Sequence, residues 1–294
     1  MTRTIVTIVT VLLLIGIALV ATNQPEVVVA PLEAPGTIEK VGAGIISTDR
    51  NETFPALDPV TGSLWFSVYD DSFGAQTIMF SRWTDSGWGA PEVASFSGDW
   101  GDRAPRFSPD GSRLYFSSDR PGTRTEPGTD MNLWQVRRTG DSWGEAGPLG
   151  HPVNSAANDM HASVTNNAIW LASNRESSVG RSDIYRIDQE GVLLHLPAPI
   201  NDENSQPDLW VSSDESWMIL VITDHPDGHG GDDLYLSRFD GHAWSAPENL
   251  GPEVNSEEYE YGPAVSPDAQ YLYFTSHRGG SADVYRVRLS TVVN

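Results

Sequence analysis

The chain has 294 residues, with 18 Lys plus Arg against 40 Asp plus Glu, a formal net charge of −22 and no cysteine. A surface this acidic repels phosphate backbones and anionic lipid headgroups, which argues against nucleic-acid binding and against membrane association outside an inserted segment. The missing cysteines exclude disulfides, a thiolate nucleophile and a zinc-thiolate site, while 39% hydrophobic residues supply a large core.

The N-terminus reads as an export signal. Arg3 precedes an apolar run from Ile5 to Ala21, interrupted by Thr7, Thr10 and Gly16. A positive residue before such a run stays inside while the rest crosses the membrane. Ala18 and Ala21 offer small residues for cleavage, but Leu19 fits the −3 position poorly. Residues 1–21 therefore read either as a cleaved signal peptide or as an uncleaved anchor. No Cys follows, so a lipoprotein anchor is excluded. Residues 22–37 hold Pro25, Pro31 and Pro35 and read as a linker. The expected location is outside the cytoplasm, periplasmic or extracellular, with membrane contact only through the N-terminal segment.

Residues 38–294 are organised by five repeats. A short apolar strand begins at Leu64, Leu114, Ile169, Ile219 and Leu272, with steps of 50, 55, 50 and 53 residues. A second strand follows each, beginning at Ile78, Leu133, Ile184, Leu234 and Val284. A third element precedes each pair, at Pro55, Pro105, Ala162, Leu209 and Pro263. Ser108-Pro109-Asp110 and Ser266-Pro267-Asp268 carry the chemistry of a tight hairpin turn. A fourth, Trp-led element trails three copies, at Trp88, Trp143 and Trp244, and closing phrases recur at Val153-Asn154, Ile200-Asn201 and Val254-Asn255. Four short antiparallel strands per unit of about 50 residues is the grammar of a β-propeller blade. The fifth copy stops at Leu289 without a fourth strand, and a spare strand at about 38–46 precedes the first copy. The expected fold is all-β: a five-bladed propeller whose last blade is completed by the N-terminal strand.

The units resemble the WD-repeat-like propeller repeats of the TolB type. The resemblance rests on Ala104-Pro105-Arg106-Phe107-Ser108-Pro109-Asp110-Gly111, on Leu114-Tyr115-Phe116-Ser117-Ser118-Asp119-Arg120, and on Asp183-Ile184-Tyr185, Asp233-Leu234-Tyr235 and Asp283-Val284-Tyr285. It covers about residues 38 to 289 and implies the propeller fold. The Trp-Asp ending of true WD repeats does not mark these strands. TolB has a second N-terminal domain, for which residues 22–37 are too short, so the TolB role does not follow.

By analogy with other propellers, ligands are sought where loops enter the innermost strands. There Glu52, Asp102, Asp159 and Glu260 recur, with Asn204 or Gln206 in the fourth copy. Grouped carboxylates can bind a hard cation such as Ca2+, or raise one another's pKa as glycosidases require. They can equally cap turns or pair with neighbouring Arg. Arg106 and His161 lie nearby, and Trp100, Tyr259 and Tyr261 are aromatics to inspect at the same mouth. Asp119-Arg120, Asn174-Arg175, Asp224-His225 and His277-Arg278 recur at the ends of the second strands. With the Asp that starts each following strand (Asp130, Asp183, Asp232 with Asp233, Asp283) they suggest a structural ion pair. His225, Asp227 and His229 share a Gly-rich loop and offer a weaker metal group. No nucleophile elbow, metalloprotease motif or phosphate loop is present.

The reading that follows is an exported, non-catalytic and monomeric propeller, without a cofactor, that binds a protein, peptide or glycan at one face. The rival is a carbohydrate-active hydrolase or lyase using the acidic mouth. No residue is assigned a catalytic role.

Overall fold

The computed structural model describes residues 37–69, 76–121 and 131–293. The export segment and residues 22–36 of the linker lie outside the described residues. Each repeat forms one antiparallel sheet. From the innermost strand outward, the first blade is Asn51–Leu57, Leu64–Tyr69, Thr77–Ser81 and Glu92–Val93. The second is Asp102–Phe107, Arg113–Ser118 and Asn132–Thr139, with its outer edge split into Ser142–Trp143 and Gly147–Pro148. The third is Asp159–Val164, Ala168–Ser173, Asp183–Asp188 and Leu193–His195. The fourth is Ser205–Val211, Trp217–Thr223, Asp232–Arg238 and Glu248–Asn249. The fifth is Glu260–Val265, Tyr271–Ser276 and Asp283–Arg288, and its outer strand is Glu39–Lys40 from the other end of the chain. The innermost strands touch in ring order, and the fifth returns to the first. The molecule is a closed five-bladed β-propeller.

Closure uses a shorter strand than 38–46. Glu39 pairs with Arg286 and Lys40 with Tyr285, and the Val41 N–H donates to the Val284 carbonyl at 2.8 Å. The chain then turns at Gly42, where φ is +56° and a Cβ would lie 2.6 Å from Ile46 Cγ1. Only glycine fits that turn. Lys40, the chain's single lysine, reaches Asp283 at 2.6 Å, and Arg286 grips both oxygens of Glu39 at 3.0 Å.

The second strands are almost continuously apolar because each blade has a neighbour on both faces. Side chains alternate across a strand. Leu64, Phe66 and Val68 pack on Ala264, Tyr271 and Tyr273 of the fifth blade, whereas Trp65 packs on Leu114, Phe116 and Trp134 of the second. The recurring Asn has a similar architectural cause. Asn154, Asn201 and Asn255 each accept from the N–H, and donate to the carbonyl, of Leu133, Ile184 and Leu234 respectively. Each side chain extends the ladder where the outer strand has ended.

Every innermost strand carries a one-residue bulge, between Thr53 and Ala56, Arg103 and Arg106, Met160 and Ser163, Ser205 and Asp208, and Tyr261 and Ala264. In four blades a bulge residue has positive φ: Phe54 at 53°, Ala104 at 53°, His161 at 51° and Gly262 at 65°. Its N–H is taken up by the preceding blade. Phe54 donates to Thr275 Oγ1, Ala104 to Ser67 Oγ and His161 to Ser117 Oγ, at 2.9, 2.9 and 3.2 Å. The fourth blade has Val221 at that hydroxyl position, and Asp208 supplies the missing acceptor to Gly262 at 2.8 Å.

Candidate functional site

The four expected carboxylates occupy equivalent places at the starts of their innermost strands, and all are fully buried. Asp102 accepts from Ser118 Oγ at 2.7 Å and pairs with Arg120 at 2.6 Å. Asp159 accepts from Ser173 Oγ at 2.7 Å, pairs with Arg175 at 2.5 Å and takes the Ser155 N–H and hydroxyl. Glu260 repeats the pattern with Ser276, Ser256 and Arg278, the last at 3.4 Å. Glu52 is held by the Thr48 N–H and hydroxyl at 2.9 and 2.6 Å. Burial outweighs these bonds and pushes the Glu52 carboxyl up. Glu52, Asp159 and Glu260 thus tie the entry loop of each blade to that blade's own sheet, and Asp102 does so through Arg120, which donates to the Phe96 carbonyl.

The recurring ion pair exists, with a different partner. Arg120, Arg175 and Arg278 pair with the inner-strand acids, and Arg175 and Arg278 do not pair with Asp183 and Asp283 at the starts of their third strands. The two recurring features of the sequence are one unit. The strand-start acids bind their own loops and outer edges instead. Asp183 takes the Val179 and Gly180 N–H groups and His195, Asp233 takes those of His229 and Gly230 and Asn249, and Asp283 takes Lys40. Asp130 lies outside the described residues. In the fourth blade Gln206 stands where the others have an acid, and its N–H donates to the Ser182 carbonyl at 2.7 Å. His225 there packs edge-on against Tyr235. Among the described residues no three His, Asp or Glu side chains are grouped to hold a metal ion.

The channel is filled by residues that follow the acids. Arg103 reaches Met160 Sδ at 3.1 Å. Tyr261 packs on Phe54, with ring centroids 5.2 Å apart, and its hydroxyl lies 3.2 Å from His277 Nε2. Below them, Phe54 packs on His161 at 4.7 Å, and the His161 Nδ1–H donates to the Pro207 carbonyl at 2.7 Å. Arg106 crosses the channel to the carbonyls of Pro55, Pro105 and Pro263 at 3.0, 3.1 and 3.1 Å, with Asp208 at 3.9 Å. Burial holds His161 neutral, its pKa lowered to about 3, and pushes Asp208 up to about 6 against the pull of Arg106. The sequence reading did not place Arg103, Asp208 or His277 in the channel. The first was signalled only by its place directly after Asp102. Trp100 and Tyr259 stand at the entry mouth, 42% and 49% exposed.

A cavity of about 390 Å³ opens at the other end, where the innermost strands turn back as hairpins. One position of each inner strand decides its shape: Ala56, Arg106, Ser163, Trp210 and Ala264. It is small in three blades, which makes the space. Arg106 roofs the cavity, and Trp210 forms a wall braced by Trp217 at 4.7 Å. The Arg106 Nε–H has no partner among the described residues. The sequence pointed to the entry mouth and not to this one.

These features define a closed five-bladed β-propeller. No family model matches the chain, and no curated protein does. Among solved structures it is similar to TolB of Acinetobacter baumannii, with a TM-score of 0.51, 17% identity, and coverage of 82% of this chain and 53% of that one. A TolB protein of Agrobacterium tumefaciens matches with a TM-score of 0.50, 16% identity, and coverage of 83% and 79%. The Hadza microbial sialidase Hz136 matches with a TM-score of 0.51, 14% identity, and coverage of 84% and 67%. The chain thus spans about half the length of the A. baumannii protein. Likeness at these identities is likeness of fold.

Proposed function

We propose that the chain is an exported, non-catalytic binding module that holds a protein, peptide or glycan segment at the mouths of its channel. One observation carries this reading. The inner-strand acids are committed to internal bonds, while an aromatic-walled cavity stays open at the hairpin end. A glycosidase needs two carboxylates in unlike environments that both face the substrate. A binding cavity needs a platform and a few polar anchors. Trp210 is the platform, and the Arg106 guanidinium roofs the cavity with positive charge. At the entry mouth Trp100, Tyr259 and Tyr261 are the contacts for a partner's surface. Export rests on Arg3 and the apolar run after it.

A peptide and glycan array probed with residues 37–294 tests the reading. The expected outcome is a bound ligand that is recovered unaltered and whose affinity falls about tenfold or more in Trp210→Ala, as loss of an aromatic platform implies. Turnover of a glycan by the wild type, abolished in a folded Asp102→Asn variant, would overturn it.

A further inference from the structure

The outermost strand of a propeller blade is a sheet edge, and proteins blunt such edges with charge or proline. Four blades here follow that rule. Their outer strands carry Glu92, Pro148, Glu248 and the pair Glu39 and Lys40. The third blade does not. Its outer strand, Leu193–His195, follows Val192 and pairs among the described residues with Asp183–Asp188 alone. Val192, Leu193 and Leu194 are 61%, 39% and 48% exposed. The polar member, His195, is tied to its own blade, with Nε2 2.7 Å from Asp183 and the ring stacked on Tyr185 at 4.6 Å.

The backbone of this edge is open in a definite register. The Leu196 N–H donates to the Ile184 carbonyl, and the Asp188 N–H to the Val192 carbonyl, both at 3.2 Å. Bonded and unbonded pairs alternate along an antiparallel ladder. Leu194 with Arg186 is therefore the bonded pair between those two, and Leu193 and His195 direct their N–H and carbonyl groups away from the blade. None of these four groups has a hydrogen-bond partner among the described residues. Beside the edge, Leu194, Phe239 and Trp244 line a concavity of about 610 Å³ where the third and fourth blades meet.

We propose that the outer edge of the third blade is a docking site for an extended segment of a partner protein, which joins the blade as a fifth strand. The outward N–H and carbonyl groups of Leu193 and His195 pair with the backbone of the segment, and its apolar side chains cover the exposed leucines. Cross-strand neighbours share a face. The segment residue opposite Leu194 therefore lies on the side of the concavity, where a large apolar side chain meets Phe239 and Trp244. The ends of the segment are basic. Glu190 stands in the turn that leads into the edge, and Asp214 and Glu215 outnumber Arg186 at the concavity. A second copy of the chain is a poorer occupant, because it brings the same acids and its own net charge of −22. The site is independent of the channel mouths.

The probe is a labelled peptide, Lys-Lys-Val-Thr-Phe-Thr-Val-Lys-Lys, titrated by fluorescence anisotropy against the full chain. Leu193→Pro deletes an outward N–H and no ladder bond of the blade, a change that edge strands tolerate. It is expected to weaken binding about tenfold at an unchanged melting temperature. Leu194→Ser keeps the backbone and strips the apolar contact, with an expected loss of about fivefold, so a Leu193→Pro protein that fails to fold leaves the test intact. No binding at about 1 mM peptide overturns the proposal. So does equal affinity in wild type and Leu194→Ser, or equal binding of the peptide N-methylated throughout its Val-Thr-Phe-Thr-Val centre. Equal binding with Glu in place of the four Lys overturns it too, as does a dimer of the chain alone that Leu193→Pro dissolves.

Discussion

Single residues show why the recurring acids matter. Arg175 and Asp159 are both buried, and the pair is also bonded to Ser173. Removing one partner of such a pair leaves an uncompensated charge, at a cost of about 3 kcal/mol. Arg175→Gln should show that loss in denaturant unfolding, with ligand binding unchanged. The channel core has a separate signature. Asp208 has its folded pKa raised by burial to about 6, above the ordinary aspartate value of 3.8. The folded state therefore holds the proton more tightly, and the Asp208 contribution to stability is present below pH 4 and is lost as pH rises through about 6. Asp208→Asn keeps an acceptor for the Gly262 N–H and removes this term. The stability difference between Asp208→Asn and wild type should grow in the variant's favour from pH 4 to pH 7. His161 behaves oppositely: its pKa is lowered to about 3, so its ring resonances should not titrate between pH 8 and pH 4. A midpoint near 6.5 would contradict the buried, neutral ring. The residue types of the Arg–acid pairs were legible in the sequence. The partner was not, because it depends on the register between the first two strands.

At the scale of elements the sequence was most informative. Repeated apolar triplets marked the second and third strands, since both of their faces are covered. Ser-Pro-Asp marked the hairpins, where Ser108 donates to Asp110 at 2.6 Å and Ser266 to Asp268 at 2.5 Å. The bulges were invisible. One extra residue per inner strand turns the side chains that follow it to new directions; Arg103 and Arg106 reach the channel from either side of a bulge and His161 from within one. The Asn that closes the second, third and fourth blades recurred in the sequence, but its bonds could not be read there. Asn201 makes three backbone bonds, to the Ile184 N–H and to the carbonyls of Ile184 and Leu196. Asn201→Ala leaves these groups unpaired and buried, so unfolding experiments should show a loss of about 2 kcal/mol. Asn201→Asp, which cannot donate, should lose nearly as much.

The whole molecule is a ring held shut by its termini, and its charge is spent on that architecture. Many of its acids pin loops to blades, cap turns or clasp the closing strand. Lys40 is half-buried against a fully buried Asp283, so Lys40→Met should lower the melting temperature by roughly 3–6 °C. The ring count and its closure were readable from the repeat spacing, but the open cavity was not. It arises from five residues that are adjacent only after the ring closes: Ala56, Arg106, Ser163, Trp210 and Ala264. The most direct test sets Trp210→Ala beside Glu260→Gln and measures melting temperature and affinity for an array-identified ligand. The account predicts that Trp210→Ala loses the ligand at an unchanged melting temperature, and that Glu260→Gln melts earlier yet still binds. A Glu260→Gln protein that melts like the wild type but no longer binds or turns over the ligand would contradict it.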